Sequence, residues 1–213
     1  MLPDGARPRL HDFGRWIGRW LYRPAYRIRV HGVSNVPMSG PVVMVANHST
    51  LIEPQVLFGV LPRRAVFLVK SELASGVTGR GLRLIGQLPV RRGEADRAAL
   101  MAAVRVLRDG GLLGVFPEGT RGAGDVARAE QGAAWLVRSS DAVVLPVATR
   151  GTLRPPGSGR RFRPKLDVLV GAPFRVTVQR GRSGLGEATE EIRRRLADLV
   201  RELDELRAAS VAG

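Results

Sequence analysis

The 213 residues suffice for one α/β domain with a proper core and are short for two. Cysteine is absent, which excludes a disulfide framework, a thiol nucleophile and a Cys-ligated metal, and the wide spacing of His11, His31 and His48 argues against a zinc site. A net charge of +15, nearly all arginine with Lys70 and Lys165 the only lysines, implies an anionic partner: nucleic acid, an anionic membrane or phosphorylated small molecules.

Residues 11–23 place Phe13, Trp16, Ile17, Trp20 and Leu21 at helical spacing, with Arg15, Arg19 and Arg23 on the other side. Such a helix suits the plane of a membrane interface; the alternative is a terminal helix that docks its aromatics on the domain. After Pro24, residues 26–32 alternate polar and apolar as a strand does. Continuous apolar runs follow at 41–46, 65–69, 87–90, 112–116 and 142–148, the pattern of strands buried on both faces of a sheet. Helical stretches at 54–60, 72–84, 94–109 and 127–139 separate them, and residues 165–178 add one or two late strands.

The expected fold is therefore a single α/β layered domain with a mostly parallel central sheet. In the last segment Ile192, Leu196, Leu199, Leu203 and Leu206 form the stripe of a closing amphipathic helix, too short for a coiled coil to be the simpler reading. Residues 1–25 read as the interfacial helix and 26–213 as the domain, without repeats or a splitting linker. The segment 151–165, rich in Pro, Gly and Arg, reads as a surface loop that could also touch anionic lipid or substrate. No run approaches the roughly 18–20 apolar residues of a bilayer span, and no cleavable signal pattern opens the chain. The expected location is the cytoplasmic face of the cell membrane, peripherally bound.

Three constellations carry possible chemistry. The first is "VANHSTLIEP", with His48 just after an apolar run and Glu53 just before Pro54. On one continuous helix the two would diverge by about 140°. If His48 instead lies on the loop and Glu53 opens the next helix, the carboxylate can fix one imidazole nitrogen and leave the other as a base. A helix-capping turn with an incidental histidine would give the same spelling. The second is "GVFPEGTRG", where a strand glycine could admit a ligand and Arg121 offers a fork matched to phosphate, with Glu118 placed to orient that arginine or the loop. The third is "GQLPVRRGEADR", where Arg91 and Arg92 precede a helix start; Glu94 and Asp96 weaken the anion-site reading.

In this order, "NHSTLIE", "LPVRR", "FPEGTR" and "VLPVATRGT" resemble the four sequence blocks of the glycerolipid acyltransferases typified by 1-acylglycerol-3-phosphate acyltransferase. The likeness runs from about residue 28 to 180, and "VKSEL" matches the segment between the first two blocks. It implies an α/β fold and transfer of a fatty acyl group from acyl-CoA or acyl carrier protein to the hydroxyl of a lysophospholipid such as lysophosphatidate. No metal or cofactor beyond the donor is implied. By the resemblance His48 is the general base, and Glu53 stands where the family has an orienting aspartate. Arg91, Arg92, Glu118, Gly119, Thr120 and Arg121 fall on the acceptor-phosphate side and Pro146 on the donor side. For the chemistry itself, backbone N–H groups or Lys70 could stabilise the oxyanion. Two departures bear on the acceptor: Glu53 replaces Asp, and Ala129, Glu130 and Gln131 stand before Gly132 where many members carry Phe-Lys. Another lysophospholipid or glycolipid acceptor, or an inactive lipid-binding relative, are the alternatives. A nucleic-acid-binding domain is disfavoured, because the few aromatics cluster near the start and form no stacking platform.

Overall fold

The apolar runs pair into one sheet in the computed structural model, which describes residues 1–91, 96–119, 122–153, 162–179 and 181–212. Its strands are β1 (Arg27–His31), β2 (Val42–Ala46), β3 (Ala65–Lys70), β4 (Leu88–Val90), β5 (Leu112–Val115), β6 (Val143–Arg150) and β7 (Lys165–Val170). They lie in the order β1-β7-β6-β2-β5-β3-β4, with all neighbours parallel except β6 and β7. Of the two late strands the sequence allowed, only the first forms; beyond it Phe174 makes a single bridge to Val144.

The helices are α1 (Pro8–Leu21), α2 (Ile52–Val60), α3 (Gly76–Leu84), α4 (Arg97–Arg108), α5 (Gly132–Ser140) and α6 (Arg182–Ala212). Side chains alternate across β2, so Val43 and Val45 enter one core while Val42, Met44 and Ala46 enter the other. The first core is closed by α4, α5 and α6, where Leu107, Leu136, Ile192, Leu196 and Leu203 are buried. The second is closed by α2 through Val56, Leu57 and Phe58. Leu206 leaves the buried stripe and is exposed, so α6 covers the sheet over most of its length.

Three expected helices begin late, α3 at Gly76 after a 3-10 turn over Ser71–Ala74. Asp96 is the N-cap of α4 and accepts from the Ala99 N–H at 3.1 Å, so it stands outside the helix and not in its first turn. α5 starts at Gly132, because residues 127–131 run as irregular chain after the β5 loop.

α1 settles which way the tryptophans face. It packs on α2 through small residues: a methyl on Gly18 would lie 3.1 Å from the Gln55 carbonyl oxygen, and a methyl on Gly59 would strike the backbone of Gly18 and Arg19. Buried His11 sits edge-on to Phe58 and donates from Nδ1 to the Ile85 carbonyl at 2.6 Å. That leaves Phe13, Trp16 and Trp20 outward, at 57%, 59% and 52% exposure, rather than docked on the domain.

Candidate active site

Among the described residues, every candidate site residue but Pro146 lies at or near the C-terminal ends of parallel strands, the edge at which open α/β sheets bind ligands. The loop leaving β2 is held from beneath by buried Asn47. Its amide donates to the carbonyls of Gly124 at 3.1 Å and Thr149 at 3.0 Å, and its oxygen accepts from Thr149 N–H at 2.7 Å. The loops after β2 and β5 and the C-terminal end of β6 are thereby tied to one side chain. His48 is then held at both backbone groups: its N–H donates to Glu118 Oε1 at 2.8 Å, and its carbonyl accepts from Gly122 N–H at 3.0 Å. With the backbone pinned, the direction of the imidazole is set by its side-chain contacts.

That direction is toward Glu53. His48 Nδ1 lies 3.2 Å from Glu53 Oε2, and the two residues are 3% and 1% exposed. A carboxylate oxygen accepts, so Nδ1 carries the proton and Nε2, on the far edge of the ring, presents a lone pair. Helical geometry alone would have separated the pair; they meet because His48 is on the loop and Glu53 in the first turn of α2.

The same stretch also forms a bonded turn into α2, although Leu51, its N-cap, carries no side-chain cap. Glu53 Oε2 accepts from the Thr50 N–H at 2.7 Å, and Thr50 Oγ1 accepts from Ile52 N–H at 3.2 Å. Thr50 Oγ1 also donates to Glu53 Oε1 at 3.2 Å, and Thr152 Oγ1 donates to that same oxygen. One carboxylate thus holds both the turn into α2 and one nitrogen of the imidazole.

The ring face is supported too. Phe116 stacks on His48 at 4.4 Å between centroids and 29° between planes, and Phe67 stacks behind Phe116 at 6.0 Å. Gly114, expected to admit a ligand, instead makes room inside the sheet: a methyl there would lie 2.7 Å from Phe67 Cδ1 and 2.8 Å from Met44 Cε. A buried imidazole held by a carboxylate, with its second nitrogen unbonded among the described residues, has the chemistry to take a proton from a hydroxyl.

Comparison with known proteins decides among the chemistries such a base could serve. The family model described as Acyltransferase matches residues 27–150, which contain the first three blocks and end at Arg150, within the fourth. The chain belongs to the acyltransferase family. It is 26% identical over 186 residues to the 1-acyl-sn-glycerol-3-phosphate acyltransferase of Bacillus subtilis, covering 84% of this chain and 91% of that one. It is 29% identical over 140 residues to the enzyme of the same name from Borreliella burgdorferi, spanning 64% of this chain and 55% of that one. The crystal structure of the 1-acyl-sn-glycerophosphate acyltransferase PlsC from Thermotoga maritima shares the fold at a TM-score of 0.62 and 24% identity. That match covers 89% of this chain and 78% of the other.

The other expected site residues of this acyltransferase divide into three groups. Glu118 joins the His48 loop directly. It is half-buried, and burial raises its pKa while the His48 N–H opposes the rise. Its hydrogen bond ties it to the His48 loop. Gly119 turns the chain at φ +68°, with the Glu130 side chain packed where a Cβ would point.

A second group stands apart from His48. Arg91 follows β4, its N–H donating to Asp96 at 3.2 Å. Lys70 ends β3 and pairs with Glu72 at 3.0 Å in an exposed position. Neither hydrogen-bonds to the His48–Glu53 pair. Pro146 is buried in β6 opposite Val45, and its carbonyl accepts from Gly171 N–H at 2.9 Å, so it belongs to the sheet interior. The third group, Arg92, Thr120 and Arg121, lies outside the described residues.

Asn47, Thr50, Phe116, Gly124 and Thr152 were not singled out from sequence. Thr50 was the legible one, since T-x-x-E before an apolar run is a capping-box spelling. Gly124 has φ +71°, and a side chain there would strike Ser49 and Asn47; only the folded loop reveals that need.

Proposed function

We propose that this acyltransferase moves a fatty acyl group from acyl-CoA or acyl carrier protein to the free hydroxyl of lysophosphatidate, giving phosphatidate. The observation that carries the reading is the His48 Nδ1–Glu53 contact, which leaves Nε2 to act as base. His48 Nε2 takes the hydroxyl proton as the oxygen attacks the thioester carbonyl. The tetrahedral centre collapses, the C–S bond breaks, and the thiolate leaves with that proton while the ester forms. Backbone N–H groups at the strand ends would stabilise the oxyanion, with Lys70 the side-chain candidate. Arg91, with Arg92 and Arg121, would supply the cations for the acceptor phosphate, with Thr120 beside them and Pro146 on the donor side. The step uses no metal and no cofactor beyond the donor.

The exposed aromatic row of α1 would lie in the membrane interface on the cytoplasmic side, where acceptor and product reside. Support comes from the outward Phe13, Trp16 and Trp20 and from the +15 charge. Beside α1 an open groove of about 740 Å³ adds Arg23, Arg27 and Arg163 around Trp20 and Phe162. Among the described residues no helix is long and apolar enough to cross a membrane.

The departures at Glu53 and Glu130 favour testing one other reading, a lysophospholipid or glycolipid acceptor with a different headgroup. A single incubation with mixed lyso-acceptors and each donor type, followed by lipid product analysis, separates the two. Phosphatidate as the dominant product is expected. Another acylated headgroup in its place would move the assignment to the second reading, and no acylated product with either donor would overturn both.

A further inference from the structure

We infer that Thr152 is a positioning residue for acyl transfer, its hydroxyl holding the Glu53 carboxylate against His48, and this rests on the reading of His48 as the base. The two carboxylate oxygens are divided between tasks. Oε2 faces the imidazole and the Thr50 N–H, while Oε1 faces the hydroxyls of Thr50 and Thr152. Thr50 is three residues from Glu53 and on the same turn, so it cannot restrain the carboxylate from across the site. Thr152 can, because it arrives from the end of β6, 99 residues away in sequence.

The arm that delivers Thr152 is built for a fixed position. Thr149 is bonded to Asn47 through both its N–H and its hydroxyl. Next, Arg150 donates to the Gly124 carbonyl at 2.7 Å and pairs with Asp204 on α6 at 2.8 Å. Gly151 then turns the chain at φ +99°, where a Cβ would strike the Lys165 carbonyl, so glycine is required there. The turn sends Thr152 back over the β2–α2 loop.

This arrangement accounts for a glutamate in the orienting position. A longer side chain has one more torsion to lose, and without an outer restraint its carboxylate could swing off the ring. Thr152 supplies that restraint. A shorter aspartate at position 53 would draw its oxygens back toward α2 and away from Thr152. The residue pair Glu53–Thr152 therefore works as a unit, and the hydroxyl has value only while the carboxylate is long enough to reach it.

The test is a double-mutant cycle read in kcat and KM for thiol release in the presence of acceptor. Thr152→Val, nearly isosteric, should lower kcat by about tenfold or more with KM little changed, the scale of losing a hydrogen bond to a charged group. Thr152→Ser, which keeps the hydroxyl, should restore most of kcat. In a Glu53→Asp background, Thr152→Val should change kcat less than about twofold, because the hydroxyl no longer has its acceptor. The inference is overturned if Thr152→Val is neutral in the wild-type background. It is equally overturned if the loss is the same size in the Glu53→Asp background, or if Thr152→Ser is as poor as Val, since a role in folding alone would do that. Full activity in His48→Ala would instead overturn the reading beneath it, and so separates that failure from this one.

Discussion

The centre and the outer side of the same sheet edge are built on opposite plans. At the centre, after β2 and β6, the polar groups are buried and hydrogen-bonded several times over: Asn47 makes four bonds, and Glu53 accepts from His48, Thr50 and Thr152. Two strands outward, at the end of β3, Lys70 is half exposed and held by one surface ion pair to Glu72. A buried polar group without partners costs roughly 1–3 kcal/mol, so the central cluster can exist only fully bonded, and full bonding makes it rigid. A surface pair is worth about 0–1 kcal/mol and leaves its cation free to change partners. On the proposed reading, rigidity suits His48, whose nitrogen would meet one proton, and freedom suits Lys70, which would turn to the charge as it develops.

That contrast ranks the expected losses. His48→Ala should lower thiol release with acceptor present by at least about 10²-fold, the lower scale of general-base catalysis. Glu53→Gln should follow, crippling turnover, whereas Glu53→Asp should largely preserve it; equal rates for the two would break the orienting role. Lys70→Ala should cost less than about tenfold, and a loss as large as that from His48→Ala would move oxyanion stabilisation to the outer strand.

The smallest expected effect concerns the α1–α2 join. Burial holds the His11 pKa below its ordinary value, with the Ile85 carbonyl opposing, so His11 is neutral when packed. A folded pKa depressed below the unfolded one gives stability that is present above about pH 6.5 and is lost as pH falls through the folded value. Asp12, held low chiefly by its hydrogen bond from Arg64 at 2.5 Å, acts in the same sense at lower pH, weakly because both groups are largely exposed. Amide exchange in residues 8–21 should therefore quicken on mild acidification while that of β2 stays slow. Uniform change in both would contradict local loosening.

Much of the fold was legible because the continuous apolar runs are too short for helices and alternate with helical stretches, which marks them as buried parallel strands. The strand starts and the mostly parallel sheet follow from them. What was not legible depended on partners distant in sequence. Gly114 looked like a doorway because nothing local says that Phe67 fills its space. Residues 171–178 carried strand-like alternation, yet β7 already pairs with β1 and β6, and only one bridge to Val144 remains for them. At the site, the His48–Glu53 pairing could be anticipated from Pro54 and the loop, whereas the aromatic support from Phe116 and the bond from Thr152 arise only when β5 and β6 flank β2. The outward face of α1 was set by Gly14, Gly18 and His11, small or shape-matched residues that a search for large apolar ones passes over.

The central claim is that Glu53 holds the proton on His48 Nδ1 and leaves Nε2 bare. Nitrogen-15 NMR of histidine-labelled protein, at a pH where the imidazoles are neutral, reads the tautomer directly. His11, whose Nδ1 must donate to the Ile85 carbonyl, serves as an internal standard for the same tautomer. The account predicts a protonated Nδ1 and an unprotonated Nε2 at His48, with the preference lost in Glu53→Gln. A proton on Nε2 in the unaltered protein would contradict it.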